Sequence, residues 1–340
     1  MSRFSYYFEI SKHVCSLRTT PKIWNYLKYR CLSKKAMMST KRYTPQIGSL
    51  LLTLRCNLNC KYCCSPANSL KGIEDLQKYE ADLEKVKRIF ANPLFANCLL
   101  VDLLGGEPLL VKDADRIVSY LSESGHLINT STNGLLLSDR IVELKQAGIS
   151  RINVSVYDEN LSILERDLVK INQIFPVHTS LVLLRSKVEK QPDKLLEIVR
   201  FIRNTGSLSM RFFMYRPMEV KPQPEEIITD TDPAYLEFQR RVNEAVPGFC
   251  LWPAIVKTHQ VKKRCSQLWQ RVNCDMLGNM GICCGTNKNL QPPNNNLFDN
   301  KPDIVFNHPT LVNMREKLLD PECAPPAICK TCNLLGEPGW

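Results

Sequence analysis

Apolar runs of strand length alternate with amphipathic runs of helix length across residues 48–216, and this alternation restricts the possible folds most. The strand-like runs are Ser49–Leu54, Cys98–Leu104, Leu127–Ser131, Arg151–Tyr157, Thr179–Leu184 and Met210–Met214. The helix-like runs between them lie at about 73–92, 113–124, 138–147, 160–174 and 190–204. Six strands that alternate with helices predict βαβ units and a parallel sheet, either open or rolled into a partial or complete barrel. Ligands of such sheets bind at the carboxyl ends of the strands.

A group of three cysteines follows the first strand-like run. In Cys56-Asn-Leu-Asn-Cys60-Lys-Tyr-Cys63 the cysteines are separated by three and then two residues. Three thiolates on one loop can each bind one iron of a [4Fe–4S] cluster, which leaves a fourth iron open to another ligand. A structural zinc ion would normally require a fourth ligand from the chain. The clustered spacing of the cysteines favours metal ligation in a reducing compartment over disulfides.

This cysteine spacing, with the aromatic Tyr62 before the last cysteine, resembles the signature of the radical S-adenosylmethionine (radical SAM) superfamily. The resemblance implies an α/β fold, a partial (β/α)6 barrel, in which Cys56, Cys60 and Cys63 hold a [4Fe–4S] cluster. In that family the open iron takes the amino and carboxylate groups of S-adenosylmethionine. An electron from the cluster then breaks the sulfonium bond and gives a 5′-deoxyadenosyl radical.

Two further motifs at strand ends are similar to family elements. Gly105-Gly106-Glu107-Pro108 follows the second strand, and in the family this segment meets the methionine amine. Its glycines allow close approach of the backbone, and Glu107 can accept a hydrogen bond from an ammonium group. Asn133, in Ser-Thr-Asn-Gly at the end of the third strand, resembles the T-N-G element of the family.

The fourth and fifth strands provide two more candidates. Ser155 resembles a family position that bonds the ribose, and Arg185 is expected to pair with the methionine carboxylate. The alternative explanation is that both are ordinary polar residues at the ends of strands, with no role in ligand binding. The predicted cofactor-binding residues are therefore Tyr62, Gly105, Gly106, Glu107, Pro108, Asn133, Ser155 and Arg185.

A second group of cysteines lies near the C-terminus. Twelve residues separate Cys265 from Gly278, four more precede Cys283, and Cys329 and Cys332 follow as a C-x2-C pair. This pattern resembles the family's cysteine-rich extensions, called SPASM in the longer form and twitch in the shortened form. The shortened form matches better and implies an auxiliary [4Fe–4S] cluster on these four cysteines.

Two alternatives stay open for the second group. Cys274, Cys284 or Cys323 could replace one of the four cysteines. A zinc ion held by four thiolates would also fit a C-x2-C pair, but zinc could not carry electrons.

The chain divides into four predicted segments, and the resemblance identifies the second and the fourth of them. They are a basic lead-in (1–45), a radical SAM core (46–216), an insertion or linker with a helix (217–262) and the auxiliary-cluster domain (263–340). Residues 1–42 hold ten Lys or Arg and one acid, so the other 298 residues carry only two of the eleven net positive charges. The main body therefore has no broad basic surface that would indicate nucleic-acid binding. No apolar stretch has the length of a transmembrane segment and no export signal is evident, so a cytoplasmic location is expected.

The resemblance implies a radical SAM oxidoreductase. We expect a small polyol, sugar or aminocyclitol as the substrate, with the auxiliary cluster as electron acceptor and a donor such as flavodoxin or ferredoxin as the source of electrons. Maturation of a ribosomal peptide by crosslinking, oxidation or epimerisation is the alternative enzyme function. A non-catalytic iron–sulfur or zinc protein is the alternative of another class.

Overall fold

The computed structural model describes residues 18–27, 45–63, 79–216, 223–258, 265–286, 288–330 and 332–335. Its centre is a parallel sheet of eight described strands. They are β1 (Ile47–Thr53), β2 (Leu100–Gly105), β3 (Leu127–Thr132), β4 (Arg151–Ser155), β5 (His178–Leu183), β6 (Met210–Met214), β7 (Cys250–Leu251) and β8 (Arg271–Asp275). Their order is β7-β6-β5-β4-β3-β2-β1-β8, and every neighbouring pair is parallel. The described edge strands β7 and β8 do not pair with each other, so the barrel is partial.

Helices connect the strands and continue after the sheet. In chain order they are α1 (residues 20–27, as far as described), α2 (Leu83–Phe90), α3 (Ala114–Glu123), α4 (Leu137–Gln146), α5 (Leu161–Ile174), α6 (Arg185–Lys190), α7 (Pro192–Asn204), α8 (Pro233–Ala245), α9 (Gln267–Gln270), α10 (Pro302–Phe306) and α11 (Pro309–Leu319). Asp232 begins α8 by accepting hydrogen bonds from two backbone N–H groups of its first turn, which are otherwise unpaired. Each helix in the described part of the chain is too short or too polar to cross a membrane.

The alternation that predicted the sheet is confirmed, and each of the six expected strands overlaps an observed one. Helix α2 begins at Leu83, because the Asp82 side chain caps it by accepting from the backbone N–H of Lys85. The expected helix began ten residues earlier, and residues 73–78 of it lie outside the described residues.

Two strands were not expected, and β8 is the more important of them. It comes from the cysteine-rich segment and pairs with β1 over five residues, from Ile47 opposite Arg271 to Leu51 opposite Asp275. Its Val272 belongs to the same hydrophobic core as the barrel. The segment 263–340 therefore contributes a strand to the central sheet as well as carrying the second group of cysteines.

The two faces of the sheet differ in polarity. Alternate residues such as Leu50, Val101 and Ile152 are fully buried in the core. Polar residues such as Ser49 and Asp102, which are paired across β1 and β2, alternate with them. A strand with this alternation presents its polar side chains to the opposite face, which here is the interior of the partial barrel.

Candidate active site

The loop after β1 carries Cys56, Cys60 and Cys63 at the carboxyl end of the sheet. The Cys56 sulfur accepts a hydrogen bond from the backbone N–H of Leu58 at 3.4 Å, and the Cys63 N–H donates to the Cys60 carbonyl at 3.3 Å. Burial raises the pKa of the Cys60 thiol to about 12, and the negative charges of Glu159, Cys63 and Cys56 add to the rise. A metal bound by these cysteines would compensate the charge of the thiolates and so oppose this rise in pKa.

The glycine segment lies directly against this loop. The Gly106 N–H donates to the Thr53 carbonyl and the Glu107 N–H to the Arg55 carbonyl, both at 2.8 Å. A Cβ atom on Gly105 would lie 2.6 Å from the Thr53 carbonyl oxygen, and one on Gly106 would collide with the backbone of Arg55. Only glycine permits this approach, so the segment needs both glycines to place the cysteine loop.

Glu107 is fully buried, and its carboxylate is occupied by donors of the protein. It accepts from the Leu109 N–H at 3.0 Å, the Thr132 hydroxyl at 2.8 Å and the Asn133 N–H at 2.7 Å. Burial is the main cause of the raised pKa of Glu107, and the three hydrogen bonds oppose it. The carboxylate thus joins the end of β2 to the end of β3.

Asn133 reaches from the end of β3 to the cysteine loop. Its side-chain amide nitrogen donates to the Asn57 side-chain oxygen at 2.7 Å and lies 3.9 Å from the Cys56 sulfur. Its own side-chain oxygen accepts from the Leu135 N–H at 3.0 Å. Asn133 therefore fixes the loop beside the first cysteine.

A cavity of about 680 Å³ opens at this end of the barrel. This volume lies within the range of roughly 300–1,000 Å³ that is typical of small-molecule sites. The predicted site residues that line it are Cys56, Cys60, Tyr62, Cys63, Gly105, Gly106, Asn133, Ser155 and Cys283.

Three predicted cofactor residues lie outside that lining. Glu107 is buried behind it, and Pro108 is buried at the start of a short 3-10 turn, Pro108–Leu110. The Arg185 guanidinium donates to the Asp232 carboxylate at 2.9 Å, so that ion pair would have to open before Arg185 reached a ligand in the cavity.

Several lining residues were not anticipated from the sequence. On one side Lys187 and Lys194 both bind the Asp158 carboxylate, at 2.6 and 3.2 Å. On the other side lie Arg271 and Asn273 of β8. The alternation of polar and apolar residues over 271–275 is the signal that could have identified β8, although five residues give only a weak pattern.

The C-terminal cysteines form a second group around a small pocket. Five cysteines line this pocket, namely Cys265, Cys283, Cys284, Cys329 and Cys332. Burial raises the pKa of the Cys265 and Cys283 thiols to about 12 and that of Cys329 to about 11, and neighbouring cysteine charges add to each rise. The structure thus brings the four predicted ligands together with Cys284.

The other two alternative ligands lie elsewhere. Cys274 is buried in β8 opposite Leu50. Cys323 is exposed, and its thiol donates to the Asp320 carboxylate at 3.0 Å. Neither lines the pocket of the five cysteines.

The described residues contain no group of three or more His, Cys, Asp or Glu side chains arranged to hold a single metal ion. A cubane cluster distributes its thiolate ligands over several irons, so its ligands need not meet at one point. The thiol-only donor sets and the partial burial of the cysteines at both sites fit iron–sulfur clusters.

Comparison with known proteins gives a family match. The sequence model described as Radical SAM superfamily matches residues 50–166. GTP 3',8-cyclase of Aquifex aeolicus is 32% identical over 179 residues, which are 48% of this chain and 54% of that protein. A GTP 3',8-cyclase of Clostridium botulinum is 38% identical over 108 residues, covering 31% of this chain and 33% of that protein. The chain thus spans about half the length, or less, of these curated relatives.

A solved structure shares the fold. The crystal structure of Streptococcus suis SuiB bound to S-adenosylmethionine aligns with a TM-score of 0.62 at 15% identity, covering 90% of this chain and 81% of that one. Proteins of the radical SAM superfamily bind a [4Fe–4S] cluster and S-adenosylmethionine, which agrees with the cysteine loop at the mouth of this barrel. The chain therefore contains a radical SAM domain, which includes residues 50–166.

Proposed function

We propose that this radical SAM enzyme reductively cleaves S-adenosylmethionine and abstracts a hydrogen atom from an organic substrate. The observation that carries the proposal is the position of Cys56, Cys60 and Cys63 in the wall of the large cavity, together with Gly105 and Gly106. A [4Fe–4S] cluster held there would supply the electron and an open iron for S-adenosylmethionine. An electron donor of the flavodoxin or ferredoxin kind is the proposed redox partner.

The other residues of this half of the cavity would orient S-adenosylmethionine. The two glycines let the backbone approach the ligand, and the Ser155 hydroxyl offers a polar group at the end of β4. The Tyr62 ring and the side chain of Leu104 contribute apolar surface. Apolar walls exclude water, which would otherwise compete for a reactive intermediate.

The half of the cavity formed by β8 and the following segment would select the substrate. Arg271, Asn273, Asp275, Lys288 and Asn289 line it. Charged and amide side chains suit a substrate rich in hydroxyl or ionic groups. We therefore propose a small polyol, a sugar or an aminocyclitol-like molecule, which is oxidised with the auxiliary cluster as electron acceptor.

A second candidate substrate is a nucleoside triphosphate such as GTP. The relative from Aquifex aeolicus, at 32% identity, is named as a GTP 3',8-cyclase. GTP contains a sugar, and Lys288 supplies positive charge in the cavity for phosphate groups. The two candidates are distinguished by direct addition of each substrate.

We further propose that Cys265, Cys283, Cys329 and Cys332 hold an auxiliary [4Fe–4S] cluster. Support comes from their common pocket and from Cys283, which lines both that pocket and the main cavity. A cluster there would adjoin the substrate. The segments 1–45, 46–216, 217–262 and 263–340 remain the proposed functional divisions of the chain.

To test the proposed function, the anaerobically reconstituted protein is incubated with a strong reductant and S-adenosylmethionine. Two clusters predict about eight irons per chain, and replacement of Cys56, Cys60 and Cys63 by Ala should leave about four. The intact chain should form 5′-deoxyadenosine, measured by mass spectrometry, and the triple variant should not. Formation of S-adenosylhomocysteine alone would contradict the proposed cleavage.

The substrate is tested by adding deuterated sugars and polyols or deuterated GTP to the same reaction. Transfer of deuterium into 5′-deoxyadenosine identifies the molecule that loses the hydrogen atom. Stoichiometric zinc in place of half of the iron would contradict the auxiliary cluster and favour a structural zinc site.

A further inference from the structure

A buried carboxylate outside the cavity touches the cysteine loop. Glu226 lies in a 3-10 turn, Pro224–Glu226, beyond the residues 50–166 that match the family. Glu226 is buried, with only 7% of its surface exposed. The carboxylate accepts from the Ser186 hydroxyl at 2.7 Å, from the Ser186 N–H at 3.0 Å and, in a longer contact, from the Tyr62 hydroxyl at 3.4 Å.

The Tyr62 ring is held on more than one side. It packs edge-on against Tyr215, with 5.7 Å between the ring centroids. The Tyr215 hydroxyl in turn accepts from the Gln223 N–H at 2.9 Å, which ties the start of the Glu226 turn to the same pair of rings. Lys61 donates to the Tyr62 hydroxyl at 3.0 Å. The ring that lines the cavity between Cys60 and Cys63 is therefore oriented by the segment that contains Glu226.

The same segment holds the start of α6. Asp232 binds Arg185 and Glu226 binds Ser186, so two buried carboxylates fix two successive residues of this helix. Lys187, the next residue, lines the cavity. Glu226 thus joins two walls of the cavity, the Tyr62 wall and the α6 wall.

We propose that Glu226 is a positioning residue for S-adenosylmethionine, acting through the Tyr62 ring. The inference rests on the proposed function, since it assigns the Tyr62 side of the cavity to S-adenosylmethionine. The hydrogen bond from the Tyr62 hydroxyl to the Glu226 carboxylate holds the half-buried ring in one orientation, and without this bond the ring can turn away. Affinity for S-adenosylmethionine should then fall while the cysteine ligands stay in place.

The test compares Glu226→Ala with Glu225→Ala, an exposed neighbour in the same turn. Binding of labelled S-adenosylmethionine to the reconstituted chain is measured by equilibrium dialysis. The electron paramagnetic resonance signal of the reduced first cluster is recorded with and without S-adenosylmethionine. Loss of the hydrogen bond between Tyr62 and Glu226 should raise the dissociation constant for S-adenosylmethionine about three- to tenfold. Glu225→Ala should bind as the wild type does.

A second comparison tests the route through Tyr62. In a Tyr62→Phe background the hydroxyl is absent, so Glu226→Ala should add less than half of its effect in the wild type. A full additional effect in that background would overturn the proposal, as would unchanged affinity in Glu226→Ala. If Glu226→Ala does not retain its iron and its circular dichroism, the same comparison is made with Glu226→Gln, which keeps one acceptor oxygen. Iron-loaded wild type that binds S-adenosylmethionine without cleaving it would contradict the proposed function alone.

Discussion

Glu107 belongs to the glycine segment, and its hydrogen-bond partners indicate its role in the site. Its carboxylate receives three hydrogen bonds from the protein and lies behind the cavity wall, not in it. Two of the donors belong to Thr132 and Asn133, at the end of β3. The residue therefore holds the Asn133 turn against the glycine segment, and the cysteine loop depends on both.

We predict that Glu107→Gln destabilises the fold. A Gln amide would place N–H groups against at least one of the three donors, and an unpaired buried donor costs about 1–3 kcal/mol. The free energy of unfolding in urea, measured anaerobically, should fall by about that amount, with lower retention of the first cluster. If Glu107 instead served mainly to bind the methionine amine, stability would be unchanged and only the KM for S-adenosylmethionine would rise.

The adjacent pair Cys283 and Cys284 gives a second prediction. Both cysteines line the auxiliary pocket, but a cubane ligated by four thiolates leaves one of the five unused. With Cys283 as ligand, Cys284→Ala should keep about eight irons per chain, and Cys283→Ala should retain fewer. The reverse pattern of iron content would assign the ligand to Cys284.

At the scale of elements, β8 connects the cysteine-rich segment with the barrel. Arg271 at its start donates to the Asp102 carboxylate on β2 at 2.6 Å and to the Ser49 hydroxyl on β1. Asp102 also accepts from Asn129 on β3 at 2.8 Å. One polar network thus spans four strands in the interior of the barrel, and it fixes β8 beside β1.

We predict that Arg271→Met destabilises the chain because Asp102 loses its cationic partner. Both side chains are less than one-fifth exposed, at 17% and 18%. Breaking such a pair by removing one member costs about 2–4 kcal/mol, somewhat less than a fully buried pair. Urea unfolding should show this loss, and Arg271→Met combined with Asp102→Asn should recover part of it. A double variant as unstable as the sum of both single changes would contradict the coupling.

At the scale of the whole molecule, the two groups of cysteines meet at one cavity. Cys56, Cys60 and Cys63 line it from the loop after β1, while Cys283 and Cys284 line it from the segment after β8. Arg216, after β6, donates to the Cys284 carbonyl at 3.1 Å and to the Asn333 side chain at 3.0 Å, which docks the second group on the barrel. Cysteines of both groups therefore face the same cavity.

Replacement of Cys329 and Cys332 together by Ala should separate the two roles. The first cluster lies on another part of the chain, so cleavage of S-adenosylmethionine should continue while product formation is lost or diverted. Because metal binding contributes to the folding of small cysteine-rich segments, the variant must first be shown to be monodisperse with about four irons. If such a variant forms the normal product at the normal rate, the second site only stabilises the fold.

The family, the parallel sheet and the position of the cysteine loop were predictable from the sequence. The periodicity of the apolar residues and the spacing of Cys56, Cys60 and Cys63 are local patterns. They involve residues that are close together in the sequence, so the sequence alone reveals them. The strand β8 was missed because five alternating residues amid prolines, asparagines and cysteines give too short a period to identify a strand.

The partners of individual side chains were decided by the tertiary structure. Glu107 pairs with residues about 25 positions away, Arg185 with Asp232, and Glu226 with Tyr62 across 164 positions. Such pairings depend on which strands become neighbours and on how the loops pack, and no local pattern records them. The sequence by itself determined the elements and the chemistry of the ligands. Long-range packing determined which charges face the cavity and which hold its walls together, because a hydrogen-bond partner is selected by position in space.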